Sequence, residues 1–206
     1  MKKILLGLIL LPLAMSASAD IGGNLVANGS FEDGYSGWSV RAAAATNFTI
    51  ATNHLDWGVT PENAPDGTHW GELFCQGYGE CEPGHWAGTT IDQTLSTVAG
   101  TSYSISLQVG NVGTYSQSPV DIYWNGARVA TNLADTYGSS HWTVFTISDV
   151  VGTGHDVLSI GTSAGAYGES AVDAVSVTSA VPEPQTYAML LSGLVLVFGV
   201  SRRRRA

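Results

Sequence analysis

The central part of this chain has almost no basic residues. Of the eight Lys and Arg in the 206-residue sequence, only Arg41 and Arg128 lie between residues 20 and 180, whereas 16 of the 17 Asp and Glu lie there. Two positive and sixteen negative charges give this region a net charge of −14. Such a surface repels phosphate, which excludes nucleic acid as a partner and disfavours anionic membrane surfaces.

Catalytic motifs are also lacking. The sequence contains no Gly-x-Ser-x-Gly elbow, no P-loop, no dinucleotide fingerprint and no His-Glu-x-x-His zinc motif. Its five histidines form no pattern. The many carboxylates would allow the acid/base pair of a glycan hydrolase, but nothing in the sequence selects two of them. We therefore predict a protein that is not an enzyme, with hydrolysis as a remote alternative.

The N-terminus has the pattern of a secretory signal peptide over residues 1–19. Lys2 and Lys3 provide a basic start, residues 4–15 are mainly apolar, and residues 17–19 are small. This pattern predicts cleavage before Asp20 and export. The alternative is an uncleaved N-terminal anchor.

The C-terminus, residues 181–206, combines a chain break, an apolar stretch and a basic end. The break is Val181-Pro182-Glu183-Pro184, because two prolines prevent helix and sheet from continuing. Residues 187–200 carry no charge and would form a helix of roughly 21 Å, shorter than the hydrocarbon layer of about 30 Å. Flanking residues would help it to span the inner membrane. The basic end, expected to stay cytoplasmic, consists of Arg202, Arg203, Arg204 and Arg205.

These three features in this order resemble the PEP-CTERM protein-sorting signal of Gram-negative bacteria. The resemblance implies processing by an exosortase near Pro182–Pro184, a transient membrane anchor, and a final place at the cell surface or in the extracellular matrix. It also implies a host that makes exopolysaccharide and forms biofilms. The alternative is a simple C-terminal membrane anchor.

The central region, residues 20–180, has the pattern of a β-sandwich. Apolar residues alternate with polar ones over residues 102–109, as in a half-buried strand, and Asn125-Gly126 is the preferred dipeptide of a type I′ hairpin turn. No stretch shows a helical period. Short strands separated by Gly, Asn, Ser and Pro favour an all-β sandwich or jelly roll. Further strands are predicted at 48–52, 68–74, 89–96, 120–124, 127–131, 142–147, 157–160 and 171–178.

A second resemblance covers most of residues 24–178. The opening segment 24–34 (NLVANGSFEDG), the pair Gly37-Trp38 and the closing segment 172–177 (VDAVSV) are similar to galactose-binding-like jelly rolls, which include several carbohydrate-binding module families. This resemblance implies the fold more strongly than the ligand.

In such jelly rolls a structural calcium ion often ties the first strand to the last. Glu32 and Asp173 are the carboxylates at the matching positions, and carbonyl groups near Asn28 and Ser30 could complete the shell of hard oxygen ligands that Ca²⁺ needs. The alternative is that Glu32 caps a turn and Asp173 is a solvated carboxylate at the end of a strand.

The sequence has only two cysteines, Cys75 and Cys81, with glycines between them. In an exported protein two free thiols are disfavoured, so we predict a disulfide that closes a surface loop. Metal binding together with His69 or His85 is the alternative, although zinc sites usually place their cysteines closer together.

Aromatic residues in Gly-rich loops are the candidates for sugar binding, because their faces stack on the C–H face of a pyranose ring. For each one, core packing is the competing interpretation. Trp38 and Tyr103 are expected in the core. The predicted platforms are Trp57, Trp70, Trp86 and Tyr115.

Together these patterns predict an exported, exosortase-processed protein that binds extracellular polysaccharide in the matrix of its host. The alternative function is a structural or self-associating matrix protein without a glycan site. These two functions differ in whether the loop aromatics are exposed together or dispersed and buried.

Overall fold

The computed structural model describes residues 23–41, 46–51, 63–75, 90–112, 119–134, 141–162 and 168–180. These residues form ten β-strands and no helix, which confirms the predicted all-β class. None of the described segments is a helix able to span a membrane. The signal peptide and residues 181–206 lie outside the described residues. The strands are β1 (Ser39–Arg41), β2 (Thr46–Ala51), β3 (Trp70–Cys75), β4 (Thr90–Ser96), β5 (Ser102–Val112), β6 (Val120–Trp124), β7 (Ala127–Leu133), β8 (Trp142–Val151), β9 (His155–Thr162) and β10 (Gly168–Ser179).

The strands form two five-stranded antiparallel sheets packed as a sandwich. The first sheet has the order β1-β4-β9-β6-β7, and the second has the order β2-β3-β10-β5-β8. Consecutive strands often change sheet, as in a jelly roll. Within each sheet the odd-numbered strands all run in one direction and the even-numbered strands in the other, because all pairs are antiparallel.

The alternating pattern of β5 places its apolar residues in the core, where Tyr103, Ile105, Leu107 and Val109 are all buried. The predicted hairpin joins β6 to β7. Asn125 and Gly126 have φ angles of 53° and 78°, and positive values at both positions define a type I′ turn.

The opening segment supplies two aromatic residues to the core. Phe31 is fully buried and stacks on Trp38 at a ring-centroid distance of 5.6 Å. The indole nitrogen of Trp38 donates a hydrogen bond to the Asn28 carbonyl at 3.0 Å, so the aromatic body is buried while its polar group is paired. The core positions predicted for Trp38 and Tyr103 are confirmed.

Residues 24–29 lie along the second half of β10, as expected for the first and last segments of this fold. Leu25 donates to the Val177 carbonyl at 2.8 Å, and Val175 donates to the Gly29 carbonyl at 3.0 Å. The first half of β10 pairs instead with β3. The change of partner coincides with a bulge between Asp173 and Ser176, where β10 has one more residue than β5.

Candidate functional site

Two groups of polar side chains are candidates for a functional site. One lies on the outer surface of the first sheet; we call it the polar face. The other, the carboxylate cluster, lies where residues 24–34 and 63–69 meet the bulge of β10 and consists of Glu32, Asp66 and Asp173. The residues of the polar face are Arg41, Thr90, Asp92, Asp121, Tyr123, Arg128 and Ser159.

Strand register brings the polar face together. Residues directly opposite each other in an antiparallel pair point to the same side of a sheet. Ser159 of β9 lies between Asp92 of β4 and Tyr123 of β6, and Tyr123 is paired with Arg128 of β7. The neighbouring positions on these strands are core residues such as Ile91 and Ile160, which confirms that the polar set faces outwards.

The residues of this face differ widely in exposure. The Arg41 and Arg128 side chains are 70% and 54% exposed, whereas Thr90, Asp121 and Ser159 are buried. Asp92 and Asp121 lie two strands apart, a separation of about 10 Å between their backbones.

Each arginine is paired with an aspartate of the same face. Arg41 Nε lies 3.4 Å from Asp92 Oδ2 and donates to Thr90 Oγ1 at 3.1 Å. Arg128 Nη1 donates to Asp121 Oδ2 at 3.3 Å. The only two arginines between residues 20 and 180 therefore both lie on one face, beside carboxylates.

Asp121 is buried and holds its surroundings in place. Its Oδ1 atom accepts from the Asn132 amide at 3.0 Å, and its Oδ2 atom accepts from the Tyr123 hydroxyl at 3.3 Å. Burial raises the pKa of the Tyr123 phenol, and the negative charge of Asp121 raises it further. Tyr123 therefore stays a neutral hydroxyl whose direction is fixed by its neighbour.

Asp92 is less completely bonded. Its Oδ2 atom faces Arg41, but its Oδ1 atom is buried and has no hydrogen-bond partner among the described residues. Buried acceptors are nearly always paired, so this oxygen is an exception among the described residues.

In the carboxylate cluster, Glu32 is fully engaged by the turn that follows Asp66. Its Oε1 atom accepts from the Thr68 and His69 amides, both at 2.6 Å, and its Oε2 atom contacts the Thr68 hydroxyl at 3.2 Å and His69 Nδ1 at 3.1 Å. The Thr68 and His69 amides lower the pKa of Glu32 to about 2. Gly67 makes the close approach possible, because a Cβ atom there would lie 2.4 Å from Glu32 Oε1.

Asp173 has the opposite environment. It is fully buried, and among the described residues its carboxylate accepts only from the Asp66 amide at 3.0 Å and the Ala174 amide at 2.6 Å. Burial raises the pKa of Asp173 to about 7; the two amide bonds oppose this rise, and the nearby charges of Asp66 and Glu32 add to it. A buried carboxylate beside two others is an environment in which a cation or a proton is favoured.

A cavity of about 280 Å³ adjoins this cluster and is lined in part by Asn28, Ser30, Asp66 and Ala174. The structure thus brings the four predicted calcium ligands into one region, but two of them already accept hydrogen bonds from other groups. The Asn28 carbonyl accepts from Phe31 and Trp38, and Glu32 is held by the turn. Within the described segments, no three His, Cys, Asp or Glu side chains form a metal-binding group. The residues fit Ca²⁺ in part, through Asp173 and the oxygen atoms that line the cavity.

The predicted sugar platform at Trp70 requires correction. Trp70 is 2% exposed, donates to Glu72 Oε1 at 2.9 Å, and meets the Trp142 ring edge-to-face at 6.3 Å. It packs with Ala171 on the outer surface of the second sheet and therefore has no free face for a sugar. Trp57, Trp86 and Tyr115 lie outside the described residues, as does Cys81, so these platforms and the disulfide with Cys75 remain predictions.

The polar face was not predicted from the sequence, although one signal pointed to it. In a region with sixteen carboxylates, two isolated arginines at the end of β1 and in β7 are unusual. That they share one face becomes apparent only when the strand order is known, because β1 and β7 are distant in sequence and occupy opposite edges of one sheet.

Comparison with known proteins identifies the C-terminal tail. Residues 180–205 match the model of the PEP-CTERM protein-sorting motif. No curated protein matches the sequence of this chain.

The fold resembles several solved structures at low sequence identity. A Stig cyclase from Fischerella sp. TAU is 15% identical, with a TM-score of 0.58, and the match covers 79% of this chain and 99% of the cyclase. The module TmCBM61, solved in complex with β-1,4-galactotriose, is 18% identical, with a TM-score of 0.52 and coverage of 76% and 99%. The xylan-binding domain CBM22-1 of Xyn10C from Paenibacillus barcinonensis is 18% identical, with a TM-score of 0.51 and coverage of 80% and 99%.

At these identities the likeness establishes the fold alone. The cyclase shows that the fold is not restricted to binding modules. The chain therefore carries a PEP-CTERM protein-sorting motif, which directs export, behind an all-β domain with the jelly-roll fold that is also found in carbohydrate-binding modules.

Proposed function

We propose that this protein binds extracellular carbohydrate through its polar face and has no catalytic activity of its own. The observation that carries the proposal is that Arg41 and Arg128 lie on the same face of the first sheet, at its opposite edges, each beside an aspartate. Sugar hydroxyl groups both donate and accept hydrogen bonds, and an Arg–Asp pair offers both partners side by side. The carbohydrate-binding modules of the same fold support this function.

The geometry favours binding over hydrolysis. The aspartates of the polar face lie far enough apart to flank a glycosidic bond, but each is paired with an arginine. A glycosidase needs one carboxyl group that is free to donate a proton and a second that is free to act as a base or nucleophile. Neither carboxylate is free in this way, because each contacts an arginine, and Asp121 is also buried.

We further propose that Ca²⁺ occupies the cavity beside Asp173 and fixes the opening segment to β10. When bound, the ion would balance the charges of Asp66 and Asp173, and Ser30 lies at the same cavity. Exosortase would remove the tail and leave the domain at the cell surface or in the biofilm matrix, with exopolysaccharide as its partner.

Self-association is the second candidate function, and the outer edge of β8 favours it. β8 is an edge strand of ten residues, and Val144 and Val151 on it are 61% and 56% exposed. Long edge strands with exposed apolar residues are templates for pairing with another chain.

One experiment separates these functions. The purified full-length chain in mild detergent is applied to a polysaccharide panel, together with the variant Arg41→Ala and, as a matched control on the other sheet, Val144→Ala. We expect saturable binding that Arg41→Ala weakens about tenfold while the thermal midpoint is unchanged, since exposed ion pairs contribute little stability. Failure of the wild-type chain to bind any glycan would contradict the proposal, and concentration-dependent assembly of that same sample would favour self-association.

A further inference from the structure

One end of the sandwich has no charged residue in its connections; we call it the turn end. It consists of the connections β4–β5, β6–β7 and β8–β9, which are residues 97–101, 125–126 and 152–154. Their sequences, TVAGT, NG and GTG, are neutral, although the domain as a whole carries a net charge of −14. Two carboxylates lie within three residues of these connections, and of these Asp156 is fully buried while Asp149 is exposed.

Two exposed apolar side chains lie together at the turn end. Val98 and Val151 are 46% and 56% exposed. Their connections touch, because Gly100 donates to the Gly152 carbonyl at 2.9 Å and a Cβ atom on Gly152 would lie 2.8 Å from the Val98 carbonyl oxygen. The turn end therefore presents an apolar pair on a neutral surface.

The chain leaves the domain at the same place. β10 ends at Ser179, and Ala180 donates to the Ser102 carbonyl at 2.8 Å. Ser102 is in turn the register partner of Val151. The PEP-CTERM motif follows at once, since its match begins at residue 180.

The tail is too short to hold the domain far from the membrane that anchors it. Six residues, 181–186, separate the domain from the uncharged stretch 187–200, and they reach at most about 20 Å when fully extended. The uncharged stretch covers roughly 21 Å of a hydrocarbon layer of about 30 Å, so flanking residues have to complete the span. The headgroup layer takes up about 5–8 Å more. The turn end is therefore held close to the membrane surface while the tail is anchored.

From these observations we infer that the turn end is a membrane-contact surface, which rests on the lipid headgroups of the membrane that anchors the tail. The acidic remainder of the domain is repelled by anionic lipid, whereas the neutral turn end is not. Val98 and Val151 lie in the interfacial layer. Two valines bury too little area to hold a free domain on a bilayer, so the contact depends on the high effective concentration that the tether provides. The inference uses the sorting motif and is independent of the proposed carbohydrate binding.

Two valines of β8 provide the test, because Val144 and Val151 are both exposed and lie seven residues apart on one strand, a distance of about 23 Å. The full-length chain with labelled valine methyl groups is inserted into lipid nanodiscs that carry a paramagnetic headgroup, and the broadening of each methyl signal is measured. We expect the signals of Val98 and Val151 to be broadened at least about tenfold more than that of Val144, since this effect falls steeply with distance. Equal broadening of the three signals would refute a fixed contact. This comparison needs no variant.

Val98→Asp tests the chemistry of the contact, with Val144→Asp as the matched control. Val98 serves the turn through its backbone, because its amide donates to the Tyr103 hydroxyl at 2.8 Å and its carbonyl accepts from Thr101 at 3.1 Å. The thermal midpoint should therefore be unchanged. In nanodiscs that contain phosphatidylglycerol, Val98→Asp should reduce the broadening at Val151 about threefold or more at low salt and less at high salt, because the new charge is repelled by the lipid. Val144→Asp should leave it unchanged.

A different partner would give a different result. If nanodiscs without exosortase show no preferential broadening at the turn end, but Val98→Asp slows removal of the tail by a co-inserted exosortase, the enzyme and not the lipid contacts this surface. Removal of the tail should release the domain from the disc. A processed domain that stays on the disc with Val98 and Val151 still broadened would refute the dependence on the tether.

Discussion

Asp156 and Asp173 are both buried aspartates, but the fold treats them in opposite ways. Asp156 accepts from Thr153 through its amide at 2.8 Å and its hydroxyl at 2.7 Å, from Asn125 Nδ2 at 2.5 Å, and from the Thr97 hydroxyl. In the part of the chain that the structure describes, Asp173 accepts from only two amides and lies near two further carboxylates. The fold supplies Asp156 with several hydrogen-bond donors, but it supplies Asp173 with two donors and with neighbours of the same charge.

The surroundings of Asp156 explain its role. Thr97, Asn125 and Thr153 belong to the three connections β4–β5, β6–β7 and β8–β9, so one carboxylate ties together three turns at the same end of the sandwich. Burial acts to raise the pKa of Asp156, but these hydrogen bonds outweigh it and hold the pKa below its ordinary range.

The two aspartates therefore contribute to stability with opposite dependence on pH. A group whose pKa falls on folding stabilises the protein above its ordinary pKa, and this contribution is lost as the pH falls. A group whose pKa rises on folding stabilises the protein at low pH, and its contribution is lost as the pH increases. Asp156 belongs to the first kind and Asp173 to the second, and Glu32, with its pKa of about 2, behaves like Asp156.

The largest effect is expected for Asp156→Ala. Removing the carboxylate leaves the donors of Thr97, Thr153 and Asn125 without an acceptor in a buried place, which should lower the free energy of unfolding by about 3–5 kcal/mol. Denaturant unfolding at neutral pH measures this loss. Asp33→Ala, which removes an exposed carboxylate, should change stability by less than about 0.5 kcal/mol. Equal midpoints for the two variants would show that the network of Asp156 does not stabilise the fold.

A smaller effect, with the opposite pH dependence, is expected at Asp173. In EDTA, the free energy of unfolding of the wild-type chain should fall by about 2–4 kcal/mol relative to that of Asp173→Asn as the pH rises from about 4 to about 8. The reason is that the raised pKa makes the folded state hold its proton at Asp173 more tightly than the unfolded state does. Thermal or denaturant unfolding across this range gives the slope for both proteins.

Calcium should sharpen the contrast, since a bound cation replaces the proton at Asp173 and stabilises the fold by mass action. With calcium, the wild-type stability should become nearly independent of pH in this range, while Asp173→Asn should respond little. If the two proteins differ in how their stability changes with pH and calcium does not alter that difference, the calcium site is refuted but the raised pKa of Asp173 is not. Parallel curves for the two proteins in EDTA would contradict that environment as well.

Much of the fold could be predicted because its determinants are local. Alternation over residues 102–109 and the Asn125-Gly126 dipeptide were sufficient for β5 and for the β6–β7 hairpin, since side-chain direction and turn geometry depend on neighbouring residues. The strand β1 was missed: Ser39–Arg41 has only three residues, all exposed, too few to show a period.

The polar face could not be predicted, because its determinants are not local. Asp92, Tyr123 and Ser159 are neighbours only because β4, β9 and β6 are adjacent in one sheet, and strand order depends on long-range packing. The misassigned Trp70 follows the same logic. A predicted strand over 68–74 does not show what covers Trp70, and the outer surface of the second sheet and Trp142 cover it.

The backbone beside the two aspartates offers the smallest and most specific test. Near Asp156, positive φ angles fall on Asn125 and Gly154, residue types that tolerate them, whereas next to Asp173 the angle of 50° falls on Ala174. Ala174→Gly should therefore raise the free energy of unfolding by about 0.5–1 kcal/mol, because relief of the left-handed strain exceeds the added entropy of the unfolded chain. The matched control is Ala171→Gly in the same strand, where φ is not positive and the buried methyl group packs near Trp70; it should lose about 1 kcal/mol. If both substitutions destabilised alike, Ala174 would not be strained. The opposite signs expected here would mean that the fold retains an unfavourable backbone at Asp173, as sites kept for a ligand often do.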